Sequence, residues 1–392
     1  MKRVIVLMMI LLLLCGAAPA EGVNVEIPDL SIRQMILPEN EALAMVRDMK
    51  AGWNLGNTFD AYDCYWLKDP MDYESGWCGV KTTEELIELI HSSGFNTIRI
   101  PVSWHNHLSA DWTIDPAWLD RVYEVASWAY DRGMYVIINI HHDCAPEYYY
   151  PDSAHYENSA KYVRTIWTQV AKKFQDWDEH LIFESINEPR LSKNPQLEWN
   201  WNASVPECAD AMEQIVKLNQ VFVDTVRASG GKNPERYLMV PAYDASPAYA
   251  CNSAFTLPED PAESRIIVSA HAYSPYDFAL QMPGIDSFSL KNAGQKAGVT
   301  GFLADLFRIY VAKGIPVVMG EFGAMEKNGN LQDRVDWLAW YVGNARARGI
   351  TCCWWDNNIF TGADSERFGL FDREKLTCVN PELLSAFMKY CE

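Results

Sequence analysis

Two hydrophobic rhythms alternate along the chain. Short apolar runs rich in β-formers recur at 52–55, 97–101, 135–140, 181–186, 237–241, 266–270, 316–320 and 351–354. Each is too short for a typical helix and is bounded by polar or turn residues, so eight strands are predicted. Between them apolar positions repeat at helical spacing, over 83–92, 116–132, 159–175, 209–229, 301–313, 331–348 and 381–390, with a weaker helix expected within 246–255. Gly133, Gly314 and Gly349 follow three of these stretches as C-terminal stops. Strands separated by helices predict a parallel α/β fold, because a parallel pairing needs a crossover between its strands. Residues 21–40 show no period and read as an extended lead-in; residues 41–392 read as one domain.

The pattern fits a closed (β/α)8 TIM barrel or an open doubly wound sheet. No glycine-rich phosphate loop follows any predicted strand, which removes the main sequence support for a nucleotide-binding open sheet. The barrel is therefore the expected fold class. Its catalytic face lies at the carboxyl ends of the strands, and those ends are polar here. They carry Asn54, Asn57 and Asp60, then Arg99, then His141, His142 and Asp143. Further along come Asn187 and Glu188, His271 and Tyr273, Glu321, and the run Trp354, Trp355, Asp356 and Asn357.

The fourth strand leads into Asn187-Glu188-Pro189, where proline biases Glu188 towards extended backbone and stops further pairing. Glu184 is the nearest acidic neighbour on that strand. Four residues at about 3.3 Å each separate the two backbones by about 13 Å, beyond the roughly 5–5.5 Å of a retaining carboxylate pair and the roughly 6.5–9.5 Å of an inverting one. Glu184 thus reads as a polar residue buried in the barrel with a partner. The second carboxylate must come from another strand, and Glu321, between Gly320 and Gly323, supplies it with little bulk to obstruct approach.

Of the 392 residues 49% are hydrophobic and 22% charged, a globular composition. A formal net charge of −19 opposes a polyanionic partner, so nucleic acid is not expected. Fifteen tryptophans exceed ordinary core needs and suit stacking on sugar rings. Lys2 and Arg3, an apolar run over 4–14 and the small residues Ala18-Pro19-Ala20 form a secretory signal with cleavage expected after Ala20. Leu14 is too large for the residue before a lipidated cysteine, which argues against an anchor at Cys15. The mature chain is expected to be exported, monomeric and free of the membrane. Of its nine cysteines, Cys64 with Cys78 and Cys378 with Cys391 are the expected disulfides in an oxidising compartment.

Seven motifs stand in order: Gly52-Trp53-Asn54-Leu55-Gly56-Asn57-Thr58, Arg99-Ile100-Pro101-Val102-Ser103-Trp104, Asn139-Ile140-His141-His142-Asp143, Asn187-Glu188-Pro189, His271-Ala272-Tyr273, Gly320-Glu321-Phe322-Gly323 and Trp354-Trp355-Asp356-Asn357. In these the chain resembles glycoside hydrolase family 5, over about residues 52–371. The resemblance implies Glu188 as general acid/base, Glu321 as nucleophile and retention through a glycosyl-enzyme. It further implies that Arg99 supports Glu321, that Asn187 donates to the sugar 2-hydroxyl, that Tyr273 bonds Glu321 and that His271 tunes Glu188. His141 and His142 would contact the sugar at or beside the cleaved bond, Asn57 and Asp60 further along, and Trp355 would be the stacking platform. The family also implies a cis Trp355–Asp356 peptide. The motifs most resemble endo-β-1,4-glucanases acting on cellulose or related β-glucans, with mannanase, xyloglucanase and lichenase activities as alternatives. No cofactor or metal is expected.

Two other classes remain to be weighed. A zinc barrel hydrolase would use His141, His142, Asp143 and His271, but adjacent strand residues face opposite ways, whereas metal barrels take alternate ones. A non-catalytic sugar-binding barrel would be expected to lose one of the two glutamates, and both are present.

Overall fold

A computed structural model describes residues 25–392; the expected signal segment and Cys15 lie outside them. Eight parallel strands close into a barrel in sequence order: β1 (Ala51–Leu55), β2 (Thr97–Ile100), β3 (Tyr135–Asn139), β4 (Leu181–Glu184), β5 (Leu238–Pro241), β6 (Ile266–His271), β7 (Val317–Phe322) and β8 (Thr351–Asp356). Every strand is buried throughout. Both faces are covered, as a parallel sheet with crossover helices requires.

The long helices are α2 (Glu84–Ser92), α3 (Pro116–Tyr130), α4 (Tyr156–Lys173), α5 (Pro206–Arg227), α8 (Ala293–Ile309), α9 (Leu331–Arg346) and α10 (Pro381–Cys391). The weaker helix expected near 246–255 is the single turn α6 (Pro247–Ala250), and a second short turn, α7 (Tyr276–Ala279), follows β6. Among the described residues no helix is long and apolar enough to cross a membrane.

Besides the short turn α7, a longer helix escaped the sequence reading. The segment Glu41–Asp48, α1, is capped by Asn40, whose side chain accepts from the Leu43 amide at 2.7 Å. Its Ala42, Met45 and Val46, with Met49 beyond it, join Ile137, Ile182, Met239, Ile267, Val318 and Cys353 in one buried cluster. These strand residues point into the barrel, so α1 plugs the amino-terminal end. Residues 25–40 form no helix or strand; they run across α9 and α10, with Met35 donating to the Ala347 carbonyl and Leu30 to Tyr390 Oη at 2.9 Å each. A short hairpin, β9 (Phe371–Asp372) with β10 (Thr377–Cys378), follows the barrel.

The expected disulfides do not form: all nine described cysteines are free. Cys64 Sγ lies 3.6 Å from the Tyr62 carbonyl, Cys78 Sγ 3.1 Å from that of Val80 and Cys391 Sγ 3.4 Å from that of Met388. Each of these thiols turns towards its own segment and fills space as a small apolar group.

Candidate active site

Above the apolar barrel floor the inward positions turn polar, and Arg99 organises them. It is fully buried on β2. Its Nε donates to Glu184 Oε2 at 2.8 Å and its Nη1 to Asn54 Oδ1 at 2.9 Å and Glu321 Oε1 at 2.8 Å. Its Nη2 donates to Asn187 Oδ1 at 2.6 Å, which leaves the Asn187 amide nitrogen free to donate elsewhere. Glu184 also accepts from Asn139 at 3.0 Å and from Ser269. Burial alone would raise its carboxyl, but Arg99, then His271 and Ser269, outweigh that and bring it down to about 2. Glu184 is therefore the buried, partnered glutamate expected from its spacing.

Glu188 lies just past β4 and Glu321 within β7. Register shifts between Ala270 and His271 and between Met319 and Phe322 interrupt the pairing on both sides of Glu321. Such bulges re-aim a side chain. His271 Nδ1 donates to Glu188 Oε1 at 2.8 Å and stands 3.7 Å from Glu321 Oε1, while Tyr273 Oη donates to Glu321 Oε2 at 2.9 Å. Carboxylate oxygens of Glu188 and Glu321 and a ring nitrogen of His271 all lie within 4.8 Å of one another.

Burial disfavours charge on His271, yet Glu321, Glu184 and Glu188 together hold its imidazolium up to about 9. Burial likewise pushes the Glu188 carboxyl up, but the His271 hydrogen bond and charge, aided by Arg190 and His142, leave it below the usual glutamate value. With His271 raised and Glu188 lowered, the proton shared between them belongs on His271 Nδ1. Gly320 has a specific reason to be glycine: a Cβ there would come within 2.9 Å of His271 Nε2. It makes room for the histidine more than for an approaching substrate.

His141 is buried, with Nδ1 3.1 Å from Asn139, while His142 is partly open. Burial keeps both imidazoles neutral, lowering His142 to about 3 and His141 well below its ordinary value. Trp355 stands parallel to His141, with ring centroids 5.9 Å apart, and packs on Met325 and Phe368. Trp354 faces outward against Phe322 and Trp337, so the two tryptophans divide between mouth and core.

Asn57 has a left-handed backbone, φ 57°, and its amide donates to Asp60 Oδ2 at 3.0 Å; the Thr58 amide donates to Asp60 Oδ1 at 2.7 Å. Asp60 is fully buried and closes this turn, and burial pushes its carboxyl up to about 7 against those amide bonds. Its nearest link to the mouth is His142 Nε2, 4.0 Å from Oδ2.

One sequence expectation at the site needs correction. The cis bonds are Ser274–Pro275 and Met282–Pro283, so the Trp355–Asp356 peptide is trans. β8 continues in register through it, Asn54 opposite Trp355 and Leu55 opposite Asp356, and that extended run holds the trans form. The zinc set that the sequence already argued against is not brought together. The fully buried Asp143 accepts from the Trp104 amide at 3.1 Å and from Tyr162 Oη at 2.9 Å, and His105 Nδ1 lies 2.6 Å from it. Asp60, His141 and His142 form a different possible donor group, and Glu188, His271 and Glu321 another. Beside the latter the Arg99 guanidinium already supplies a fixed cation.

Other residues at the mouth escaped the sequence reading because they sit in loops without strand periodicity. Tyr62 and Trp77 pack against His142, with centroids 5.1 and 5.8 Å from its ring. Arg190 donates to the Glu188 carbonyl at 2.9 Å and to Glu198 at 3.1 Å, and its guanidinium lies 4.2 Å from the ring centre of the exposed Trp199. The clustering of Trp and Tyr within 62–77 was the available signal for the first group.

A closed parallel barrel presenting two glutamates from β4 and β7 among sugar-sized aromatic and histidine surfaces defines a carbohydrate-cleaving enzyme. Residues 60–361 match the model of the cellulase family, glycosyl hydrolase family 5, and the chain belongs to that family. Endoglucanase B of Ruminococcus albus is 39% identical over 380 residues, 95% of this chain and 87% of the relative. A family 5 lichenase from Caldicellulosiruptor sp. F32 superposes with a TM-score of 0.92 at 53% identity, covering 94% of this chain and all of the other. A GH5-4 broad specificity endoglucanase from Ruminococcus champanellensis, solved with bound cellotriose, gives 0.82 at 41% identity, over 90% and 100%. The protein is a glycoside hydrolase of the endoglucanase type.

Proposed function

We propose that the chain is a secreted, retaining endo-β-1,4-glucanase that cleaves internal bonds of cellulose or related β-glucans by double displacement. The observation that carries this reading is the approach of Glu188 and Glu321 oxygens within 4.8 Å, near the spacing of a retaining pair. Glu321 attacks the anomeric carbon as the glycosidic C–O bond breaks, and Glu188 gives its proton to the departing oxygen. Glu188 then takes a proton from water, whose oxygen displaces Glu321 and releases the sugar. Sugar in the cleft excludes water and disfavours the His271–Glu188 ion pair, moving the shared proton from Nδ1 to Oε1 for the first step. The Asn187 amide, freed by its bond to Arg99, is placed to donate to the 2-hydroxyl.

The lichenase at 53% identity supports mixed-linkage β-glucan as a second substrate beside cellulose. Product analysis on cellulose, mixed-linkage glucan, xyloglucan and mannan tests this reading, together with the anomer formed first. Internal cleavage of β-glucan with a β-anomer is expected. Net inversion, or preference for mannan, would overturn it.

A further inference from the structure

Past β5 the chain turns sharply at Asp244 and Ala245, with φ of 55° and 50°. Two consecutive non-glycine residues in the left-handed region are rare and persist only where the surroundings impose them. Here Tyr243 Oη donates to the Leu197 carbonyl at 2.8 Å and accepts from the Leu191 amide at 2.9 Å, while the Asp244 amide donates to the Pro189 carbonyl at 3.1 Å. The turn is thus tied to the segment that carries Glu188. Asp244 is 9% exposed, and its buried Oδ1 has no hydrogen-bond partner among the described residues. An unsatisfied buried oxygen beside a catalytic acid requires a reason.

We propose that Asp244 is a substrate-binding residue on the leaving-group side of the cleaved bond, its carboxyl hydrogen-bonding a hydroxyl of the sugar that departs from Glu188. The inference rests on the reading of Glu188 as the acid and deepens it. The departing oxygen must lie against Glu188, so groups beyond Glu188 and away from Glu321 face the leaving sugar. The 3.1 Å bond from the Asp244 amide to the Pro189 carbonyl, one residue beyond Glu188, sets Asp244 on that outer flank of Glu188. Burial first and Glu188 second push the Asp244 carboxyl up to about 9, against Arg190. As a neutral acid it can both donate to and accept from a sugar hydroxyl, and it adds no anion beside Glu188. Nothing in the sequence marks this position, because its chemistry comes from a loop conformation.

The test compares cellotetraose, whose leaving group is a sugar, with 4-nitrophenyl β-cellobioside, whose leaving group has no sugar hydroxyls. Asp244→Gly removes the carboxyl while keeping the left-handed backbone free of steric cost. Asp244→Asn keeps a neutral donor and acceptor of the same shape and tolerates that backbone. The glycine variant is expected to lose 10- to 100-fold in kcat/KM on cellotetraose and under threefold on the aryl glycoside, on the order of one lost hydrogen bond with its buried partner left unmet. The asparagine variant is expected to stay within about threefold on both. Thermal unfolding checks that each variant is folded, and Asp244→Ala replaces the glycine variant if that does not fold. Equal losses on the two substrates, an unchanged cellotetraose rate, or an asparagine variant as impaired as the glycine one would overturn the inference. Wild-type protein that cleaves neither substrate would overturn the functional reading itself.

Discussion

Two layers of the barrel interior are built from the same strands and behave as opposites. The lower one contains Ile137, Ile182, Met239, Ile267, Val318 and Cys353, sealed by Met45 and Met49. Two residues further along, β3, β4, β6 and β7 present Asn139, Glu184, Ser269 and Gly320 and β5 and β8 present Pro241 and Trp355, with Asn54 and Arg99 joining the polar members. The period of two keeps both rows pointing inward. The lower row excludes water and fixes the barrel's shape through non-directional contact. The upper row places charge, and each charge is held by hydrogen bonds from named neighbours. A single residue pair per strand therefore separates stability from chemistry, and the contrast can be broken by substitutions in either layer.

The largest effect is expected at the top. Glu321→Ala should reduce glycosylation by several orders of magnitude while polysaccharide binding stays measurable, since the other mouth residues still make ground-state contacts. Azide with an activated substrate should restore turnover in this variant as the α-glycosyl azide. Glu188→Ala should give the β-azide, because the covalent intermediate forms first. Reversed stereochemistry would exchange the two roles.

Next comes the charged layer below. Arg99→Met strips the guanidinium from Glu184 and Glu321 together, leaving the buried Glu184 only the more distant His271, at 3.8 Å, as a charge partner. Breaking such a buried pair costs about 3–5 kcal/mol, measurable as a lower urea midpoint, with activity falling alongside. A variant as stable as wild type would show that the layer is not held by Arg99.

How much of this was legible beforehand depended on the kind of signal. Strand positions and the residues at their ends were readable because both obey short periods, and the reading of Glu184 as a buried, partnered residue followed from strand rise alone. The plug helix α1 was missed although Ala42, Met45, Val46 and Met49 carry helical spacing, because eight residues give too few repeats to stand out. Tyr62 and Trp77 left only a compositional trace, the aromatic clustering within 62–77, and the loop residues Arg190 and Asp244 left none, for a deeper reason. Their positions follow from loops bonded to other loops, as Asp244 is to Pro189, and no local period encodes that. The disulfide pairing failed similarly: loop proximity in sequence says nothing about where a thiol points.

The comparison can also be sharpened by pH. His271 is neighboured by Glu188 at 2.8 Å, Glu321 at 3.7 Å and Glu184 at 3.8 Å, with Arg99 opposing them. Its folded value of about 9 exceeds the ordinary 6.5. The stabilisation is thus fully present below pH about 6.5 and is lost as pH rises through about 9. Tm of wild type should approach that of His271→Gln across this window. A gap between them that widens with rising pH would mean the imidazole is neutral in the folded protein.

The smallest effect belongs to the lower layer. Ile267 is fully buried on β6, two residues before Ser269 and four before His271. Ile267→Val removes one methyl group from the floor and should cost about 0.5–1.5 kcal/mol in stability, the range for this truncation in a close-packed core. The strand above it is pinned independently: Ser269 is hydrogen-bonded to Glu184, and the Ala272 amide donates to the Glu321 carbonyl at 3.1 Å. kcat/KM on β-glucan should therefore stay within about twofold of wild type, since a twofold rate change corresponds to only about 0.4 kcal/mol of barrier. A rate that falls in step with the stability loss would mean that relaxation in the floor reaches His271 along β6, and that the two layers form one mechanical unit.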